Sequence, residues 1–358
     1  MILVVGAGKS AAIAAEEIIY QGEEVLRLLL PEENAAELPA VTTVHGRLQK
    51  FSGVQGNFTA QIATAAGRQD FAVGAAILAI DETPITAANV LTLSSILEIK
   101  SLSWASTIVI LLDAQKPDRA SHIVAVEKAR ALKKSNPACK IYIITPEVRT
   151  FGLDELAYCK AQQEGIIFIR AENIEQSSHS LSVTDSPSGK TLEITPDLII
   201  TDEEQEVRNA AFWAKAFAIN LYEDGHFRLG NVSRGPLTSM RPGVFLCGTA
   251  SRALLPREMD TSARAAATRA VTASRLPLTI NAASIQEEQC AACLTCVRNC
   301  LFHAPAINER GKSEIAQDLC QACGLCVNLC PAAAITLPGS GRTDLNEVLA
   351  QVLRCRHE

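Results

Sequence analysis

Apolar residues recur along the chain in two kinds of run. Met1 to Val5 is short and wholly apolar, as a strand buried on both faces requires, and Gly6-Ala7-Gly8-Lys9-Ser10-Ala11-Ala12 follows it. From there to Tyr20 the pattern is helical, Gly22 ends the helix, and Glu24 to Leu30 predicts a second strand. Strand, glycine turn, helix and strand in that order open a dinucleotide-binding fold. From Val41 to Ile80 the pattern changes to short strands and hairpin turns punctuated by Gly53, Gly56 and Gly67, ending in the apolar run Ala75 to Ile80.

A second α/β unit starts near Ser103. Its elements are a strand from Thr107 to Leu112, a helix from Arg119 to Lys134, a strand from Lys140 to Thr145, and a helix and strand between Phe151 and Ala171. A hairpin over Ser177 to Thr195 turns at Ser186-Pro187-Ser188-Gly189, and Asp197 to Ile200 closes the unit. Asp113-Ala114-Gln115-Lys116-Pro117-Asp118, between the first strand and helix, holds no glycine, so a nicotinamide cofactor has no turn for its pyrophosphate. The unit reads as a structural remnant of a nucleotide domain. Beyond it, Glu223-Asp224-Gly225-His226-Phe227 predicts a turn, and Pro242 to Ala250 predicts a strand running into Gly248-Thr249-Ala250. A helix from about Asp260 to Ser274, capped by Asp260 or Thr261, comes next. Pro277 begins a linker, and after Pro338-Gly339-Ser340-Gly341 a short amphipathic helix runs from Asp344 to Leu353.

In the first glycine turn, Gly6 permits the tight bend, Gly8 lets the backbone approach a pyrophosphate, and Ala11 stands where a third glycine often sits. Gly8-Lys9-Ser10 is similar to the end of a phosphate loop, but that motif needs a glycine five residues before Gly8, where Leu3 stands. The acidic residue expected to end the second strand and hold ribose hydroxyls is missing. Leu28, Leu29, Leu30 and Pro31 occupy that place, with Glu32 and Glu33 just beyond. Either those glutamates substitute for it, or the adenosine end is held loosely or not at all.

The chemistry concentrates near the carboxy terminus. Cys290, Cys293, Cys296 and Cys300 are answered by Cys320, Cys323, Cys326 and Cys330 with Pro331, each set reading C-x2-C-x2-C-x3-C. Three thiolates at that spacing let one loop wrap a single [4Fe–4S] cluster, while the fourth lies too far along to close the same loop and crosses to the other cluster. The expected ligand sets are therefore Cys290, Cys293, Cys296 with Cys330, and Cys320, Cys323, Cys326 with Cys300. Structural zinc prefers two C-x2-C pairs and fits three cysteines in seven residues poorly. Disulfides need an oxidising compartment, and Met1-Ile2-Leu3-Val4-Val5-Gly6 has no basic region or cleavage site of a secretion signal. Cys139, Cys159, Cys247 and Cys355 are scattered and read as buried small hydrophobes.

A net charge of −6 gives no reason to expect nucleic-acid binding, and no apolar run approaches the roughly 18 residues needed to span a bilayer. The histidines His45, His122, His179, His226, His303 and His357 are scattered and suggest no acid–base triad. His303, close to Cys300, is the one candidate for tuning a cluster.

With these landmarks placed, the sequence resembles the A subunit of heterodisulfide reductases and its relatives, a flavin-containing iron–sulfur electron-transfer family built on a thioredoxin-reductase-like two-dinucleotide fold. The resemblance rests on Gly6-Ala7-Gly8, on Val148-Arg149-Thr150-Phe151-Gly152 with Glu164 to Arg170, on Glu223 to Phe227, on Gly243 to Ala250, and on the double cysteine motif. It implies that Gly6, Gly8, Ser10, Ala11, Gly248, Thr249 and Ala250 contact FAD. Where that family carries Ala-Thr-Gly before its inserted domain, this chain runs Leu78-Ala79-Ile80-Asp81.

The expected fold class is α/β: a Rossmann-like two-dinucleotide-binding fold of the FAD/NAD-linked reductase kind, followed by an α+β bacterial-type ferredoxin domain. Residues 1–102 and 204–283 form the FAD-binding domain, 103–203 an inserted degenerate nucleotide-type domain, 284–340 the ferredoxin domain and 341–358 a terminal helix. The resemblance implies two [4Fe–4S] clusters, FAD, and an electron-transfer subunit that works within a cytoplasmic complex of an anaerobe. Its implied partners are heterodisulfide reductase B/C-like subunits, hydrogenase or dehydrogenase modules, or a soluble ferredoxin. The alternative is a flavin-free iron–sulfur wire and scaffold.

Overall fold

In the computed structural model of the chain, β1 (Ile2–Val5) runs through the middle of a nine-stranded sheet. The structure describes residues 1–81, 83–84, 91–93, 102, 104–112, 119–171, 174–177, 180–202, 205–231, 235–278 and 281–339. Side chains alternate along β1, so Leu3 and Val5 join one core and Ile2 and Val4 the other, all four buried. The glycine turn leads into α1 (Lys9–Tyr20), whose Ala11, Ala14, Ala15 and Ile18 pack on the Ile2 face, and Gly22 takes a positive φ just past its end. β2 (Val25–Leu29) returns parallel to β1, and β3 (Val41–Val54) pairs parallel with β2. The far end of β3 continues into an antiparallel meander with β4 (Asn57–Thr64) and β5 (Gly67–Val73), before β6 (Ala75–Leu78) pairs parallel on the other side of β1.

The chain divides into two compact units, and the second holds Glu82–Glu206 with Ala253–Pro256. Two-residue strands β7 (Thr83–Pro84) and β15 (Gln205–Glu206) pair antiparallel within it. Its main sheet takes β8 (Thr107–Leu111), β9 (Lys140–Thr145), β10 (Ile167–Arg170) and β14 (Leu198–Thr201), all parallel in the order β10-β9-β8-β14. The crossover helices are α2 (Arg119–Ser135) and α3 (Asp154–Gln163), tied by the paired hydrogen bonds of Arg130 to Glu164. β11 (Ile174–Gln176), β12 (Leu181–Asp185) and β13 (Lys190–Ile194) make a separate antiparallel sheet. The glycine-free stretch 113–118 lies outside the described residues.

The first unit comprises Met1–Asp81, Val207–Arg252 and Arg257–Glu358. Its chain resumes with α4 (Ala210–Phe217), whose Trp213 and Phe217 fill the core on the Leu3 face. β16 (Leu229–Asn231), β17 (Gly235–Ser239) and β18 (Val244–Leu246) extend the sheet, with β18 parallel to β6. The parallel strands thus stand in the order β3-β2-β1-β6-β18, which by appearance is the 3-2-1-4-5 order of a doubly wound nucleotide fold. α5 (Pro256–Arg275) lies on the same face as α1, and its Ala263, Ala266, Ala267 and Ala270 let it sit close. It begins at Pro256 instead of near Asp260, because proline is tolerated at a first helical position and fixes φ for the turn. No described helix is long and apolar enough to cross a membrane.

Within the same unit the cysteine-rich segment forms a small module with a repeat of thirty residues (290 to 320, 300 to 330). β19 (Ser284–Ile285), α6 (Thr295–Asn299) and β20 (Pro305–Ile307) are repeated as β21 (Ser313–Ile315), α7 (Leu325–Leu329) and β22 (Ile335–Thr336). The strands pair across the repeat, β19 with β22 and β20 with β21, so neither half is built alone. The helix expected over Asp344 to Leu353 lies outside the described residues.

Arg241, 3% exposed, joins this module to the sheet. Its guanidinium donates to the carbonyls of Phe51 at 3.1 Å, Phe217 at 3.2 Å and Gly53 at 3.1 Å, and to Asp318 Oδ2 at 3.3 Å. It lies over the rings of Phe51 and Phe58, at 5.0 and 5.4 Å from their centroids. Asp318 Oδ2 also accepts the Gly53 N–H at 3.1 Å. Burial pushes the Arg241 guanidinium down to about 10 while Asp318 works against that, so it stays charged at neutral pH. Asp318→Ala strands part of a buried cation, and chemical denaturation is expected to show a loss of about 1–3 kcal/mol. Arg310→Ala, which breaks only the exposed ion pair with Glu287, is expected to change stability by less than about 0.5 kcal/mol.

Candidate iron–sulfur centres and nucleotide site

The loops before α6 and α7 turn through left-handed backbone at matched places: Ala292 and Ala322, Leu294 and Gly324. A C-x2-C-x2-C loop bent this way curls its three thiolates inward. The result is two cavities. One, of about 280 Å³, is lined by Cys320, Cys323 and Cys326 together with Cys300, and also by Cys296. A smaller one is lined by Cys290, Cys293 and Cys296 together with Cys330. The fourth cysteine of each run therefore faces the cavity of the other.

Polar groups already address these sulfurs. The N–H groups of Ala283 and Ala322 donate to Cys320 Sγ at 3.5 and 3.4 Å, and that of Ala334 donates to Cys330 Sγ at 3.3 Å. The backbone N–H groups of Ser313 and Ala292 hold the Cys290 thiol below the usual range, and the Thr295 hydroxyl does the same for Cys293. Cys326 moves the other way, raised first by burial and then by the negative thiolates of Cys320, Cys323 and Cys300 around it. Four converging thiolates repel one another until positive iron offsets them. Among the described residues no group of three or more His, Cys, Asp or Glu is placed to hold a single metal ion. A cubane takes four thiolates spread round a cluster, and each cavity is lined by at least four cysteines.

His303 has a docking contact. Its Nε2 lies 2.8 Å from Asn220 Oδ1, and Asn220 donates to the Leu301 carbonyl at 2.9 Å. His122 is buried and accepts the Arg149 N–H, as a core histidine does. Cys139 and Cys247 are buried, but Cys159 is exposed, since α3 buries only Ala161.

At the head of α1, Gly6, Gly8, Ser10 and Ala11 lie in one turn, and Gly248 comes against Ser10. Gly6 has φ +136°, and a Cβ there would stand 2.2 Å from the Ala79 carbonyl oxygen, so the turn demands glycine. Ser10 and Ala11 are buried in the first helical turn, and Gly248–Ala250 form a buried 3₁₀ turn after β18. Two further residues shape this place. Asp81 Oδ2 accepts the Ser10 N–H at 3.1 Å. Arg27, 1% exposed, donates to the carbonyls of Gly6, Ala7 and Ala36 and so braces the glycine loop from β2. The pattern Val25-Leu26-Arg27-Leu28-Leu29, a lone charge inside an apolar strand, was the available signal for it. Of the two glutamates beyond β2, Glu33 caps its own turn by accepting the Leu30 N–H, and Glu32 pairs with Arg47.

Residues 314–336 match the family described as 4Fe-4S binding domain. Over 203 residues the chain is 32% identical to the A subunit of the ferredoxin:CoB-CoM heterodisulfide reductase of Methanosarcina acetivorans, covering 53% of this chain and 25% of that protein. The A subunit of the H(2)/formate:CoB-CoM heterodisulfide,ferredoxin reductase of Methanococcus maripaludis is 27% identical over 54% of this chain and 31% of its own length. A heterodisulfide reductase protein of the A-subunit-like kind from Archaeoglobus profundus is 30% identical over 52% and 28%. The chain therefore spans between a quarter and a third of the length of these curated relatives. Among solved structures it is similar to Lactococcus lactis thioredoxin reductase at 13% identity and a TM-score of 0.48, covering 76% of this chain and 97% of that one. The assignment to a nucleotide-type fold rests on the strand order itself.

Paired cysteine variants separate crossed from local ligand sets. Cys290→Ala with Cys330→Ala strikes one crossed set twice, and about four irons per chain are expected to remain by iron analysis. Cys290→Ala with Cys300→Ala strikes both sets, and essentially none is expected to remain; local sets would give the reverse.

Proposed function

We propose that the chain is an electron-transfer subunit that passes electrons between a flavin and two [4Fe–4S] clusters and on to or from partner redox proteins. The observation that carries this is the joining, in one compact unit, of a two-cluster thiolate module to a nucleotide-type sheet through Arg241 and Asp318. Two neighbouring clusters form a path for single electrons. A flavin, when bound, supplies the exchange between electron pairs and single electrons.

For that flavin, the chain offers the Gly6–Gly8 turn, the head of α1 and the Gly248–Ala250 turn, where backbone N–H groups would meet a diphosphate once the Asp81 carboxylate beside Gly8 and Gly248 gives way. The relatives are themselves subunits of larger reductases, which supports work within a complex. Heterodisulfide reductase B/C-like subunits, hydrogenase or dehydrogenase modules and soluble ferredoxin are the partner classes, in the cytoplasm of an anaerobe. The chain's own share of the chemistry is to space the clusters and to set their potentials through the N–H groups of Ala283, Ala322 and Ala334.

One observation favours a second reading, the flavin-free wire: the Asp81 carboxylate lies against both glycine turns. Anaerobic purification with iron, acid-labile sulfide and released-flavin analysis separates the two. About eight irons with one FAD per chain is the expected result; about eight irons with no flavin, even after FAD is added back, would leave the wire.

A further inference from the structure

We propose that Asp81 is a built-in anion in the diphosphate seat of the first unit, a specificity-determining side chain that a dinucleotide must displace in order to bind. This rests on the flavin reading above, because it concerns the same seat.

The Asp81 carboxylate accepts the Ser10 N–H at 3.1 Å. That N–H belongs to the first turn of α1, where a helix leaves donors without internal acceptors and offers them to phosphate. The carboxylate also fills the room that two glycines leave open. A Cβ on Gly8 would stand 2.4 Å from Asp81 Oδ2, and one on Gly248 would stand 2.1 Å from Asp81 Oδ1. In a dinucleotide turn that room is kept for phosphate oxygens; here a side chain of the protein takes it.

An independent observation says that the seat is made for more than this carboxylate. Ser10 is 1% exposed and its hydroxyl has no hydrogen-bond partner, nor has Asp81 Oδ1. Both face the same spot, since a Cβ on Gly248 would also lie 2.6 Å from Ser10 Oγ. A buried hydroxyl left open is costly, and a phosphate oxygen placed there would accept from it.

The nearby bases are engaged elsewhere. Lys9 pairs with Asp260 at 2.9 Å, and Arg27 donates to loop carbonyls. Asp81 and a diphosphate would therefore meet as like charges, and binding requires the carboxylate to leave. The affinity of this chain for a diphosphate-bearing nucleotide is accordingly set by residue 81.

Two variants test this in the full chain with its clusters reconstituted anaerobically. Asp81→Asn keeps the shape and an oxygen for the Ser10 N–H while removing the charge; Asp81→Ala empties the seat. Each is titrated with FAD by quenching of flavin fluorescence, with iron content as the check on folding. Both are expected to bind FAD at least roughly tenfold more tightly than the wild type. A tight wild-type complex that neither variant improves would overturn the role of Asp81 and leave the flavin reading standing. Failure of wild type and variants alike to bind FAD would overturn both. If Asp81→Ala loses its iron, the Asn variant decides alone.

Discussion

A guanidinium removed from water must find acceptors, and those of Arg241 belong to separate parts of one unit. Phe51 and Gly53 lie on β3, Phe217 ends α4, and Asp318 stands two residues before Cys320. The ring stack of Phe51 with Phe58, 4.6 Å between centroids, and the contact of Phe51 with Phe217 at 4.7 Å give the cation its apolar walls. The module that holds the cysteines is thus not a bead on a linker. Its position relative to the nucleotide-type sheet is fixed by a charge that has no other place to go.

Inside the module the same logic works through covalent chain and thiolates. Strands pair only across the repeat, and Cys300 and Cys330 each reach the cavity of the opposite run. Left-handed backbone at Ala292, Leu294 and Ala322 costs energy at non-glycine residues. Iron held by four thiolates at each cavity would offset both that strain and their mutual repulsion and would couple cluster assembly to folding.

Much of this was legible in the sequence, and the reasons for the rest are physical. Strands β1, β2, β6, β8 and β9 are buried on both faces, so their composition betrays them. The cysteine spacing names its chemistry because cluster geometry admits few spacings. α4 escaped because Ala210–Phe217 is short and rich in aromatic residues, with none of the charged face that marks a surface helix. Asp81 and Arg241 escaped because their partners lie far along the chain: Ser10 is 71 residues from Asp81, and Asp318 is 77 from Arg241. Asp81 was visible as a departure from Ala-Thr-Gly, but its contact with the head of α1 is a property of the folded sheet.

Two [4Fe–4S] clusters side by side in one module, each held by thiolates from both halves, would couple magnetically. Low-temperature electron paramagnetic resonance of the fully reduced chain tests it most directly. Two adjacent paramagnetic clusters are expected to give an interaction-broadened spectrum that integrates to about two spins per chain. A simple, unbroadened signal of about one spin or less would contradict the account.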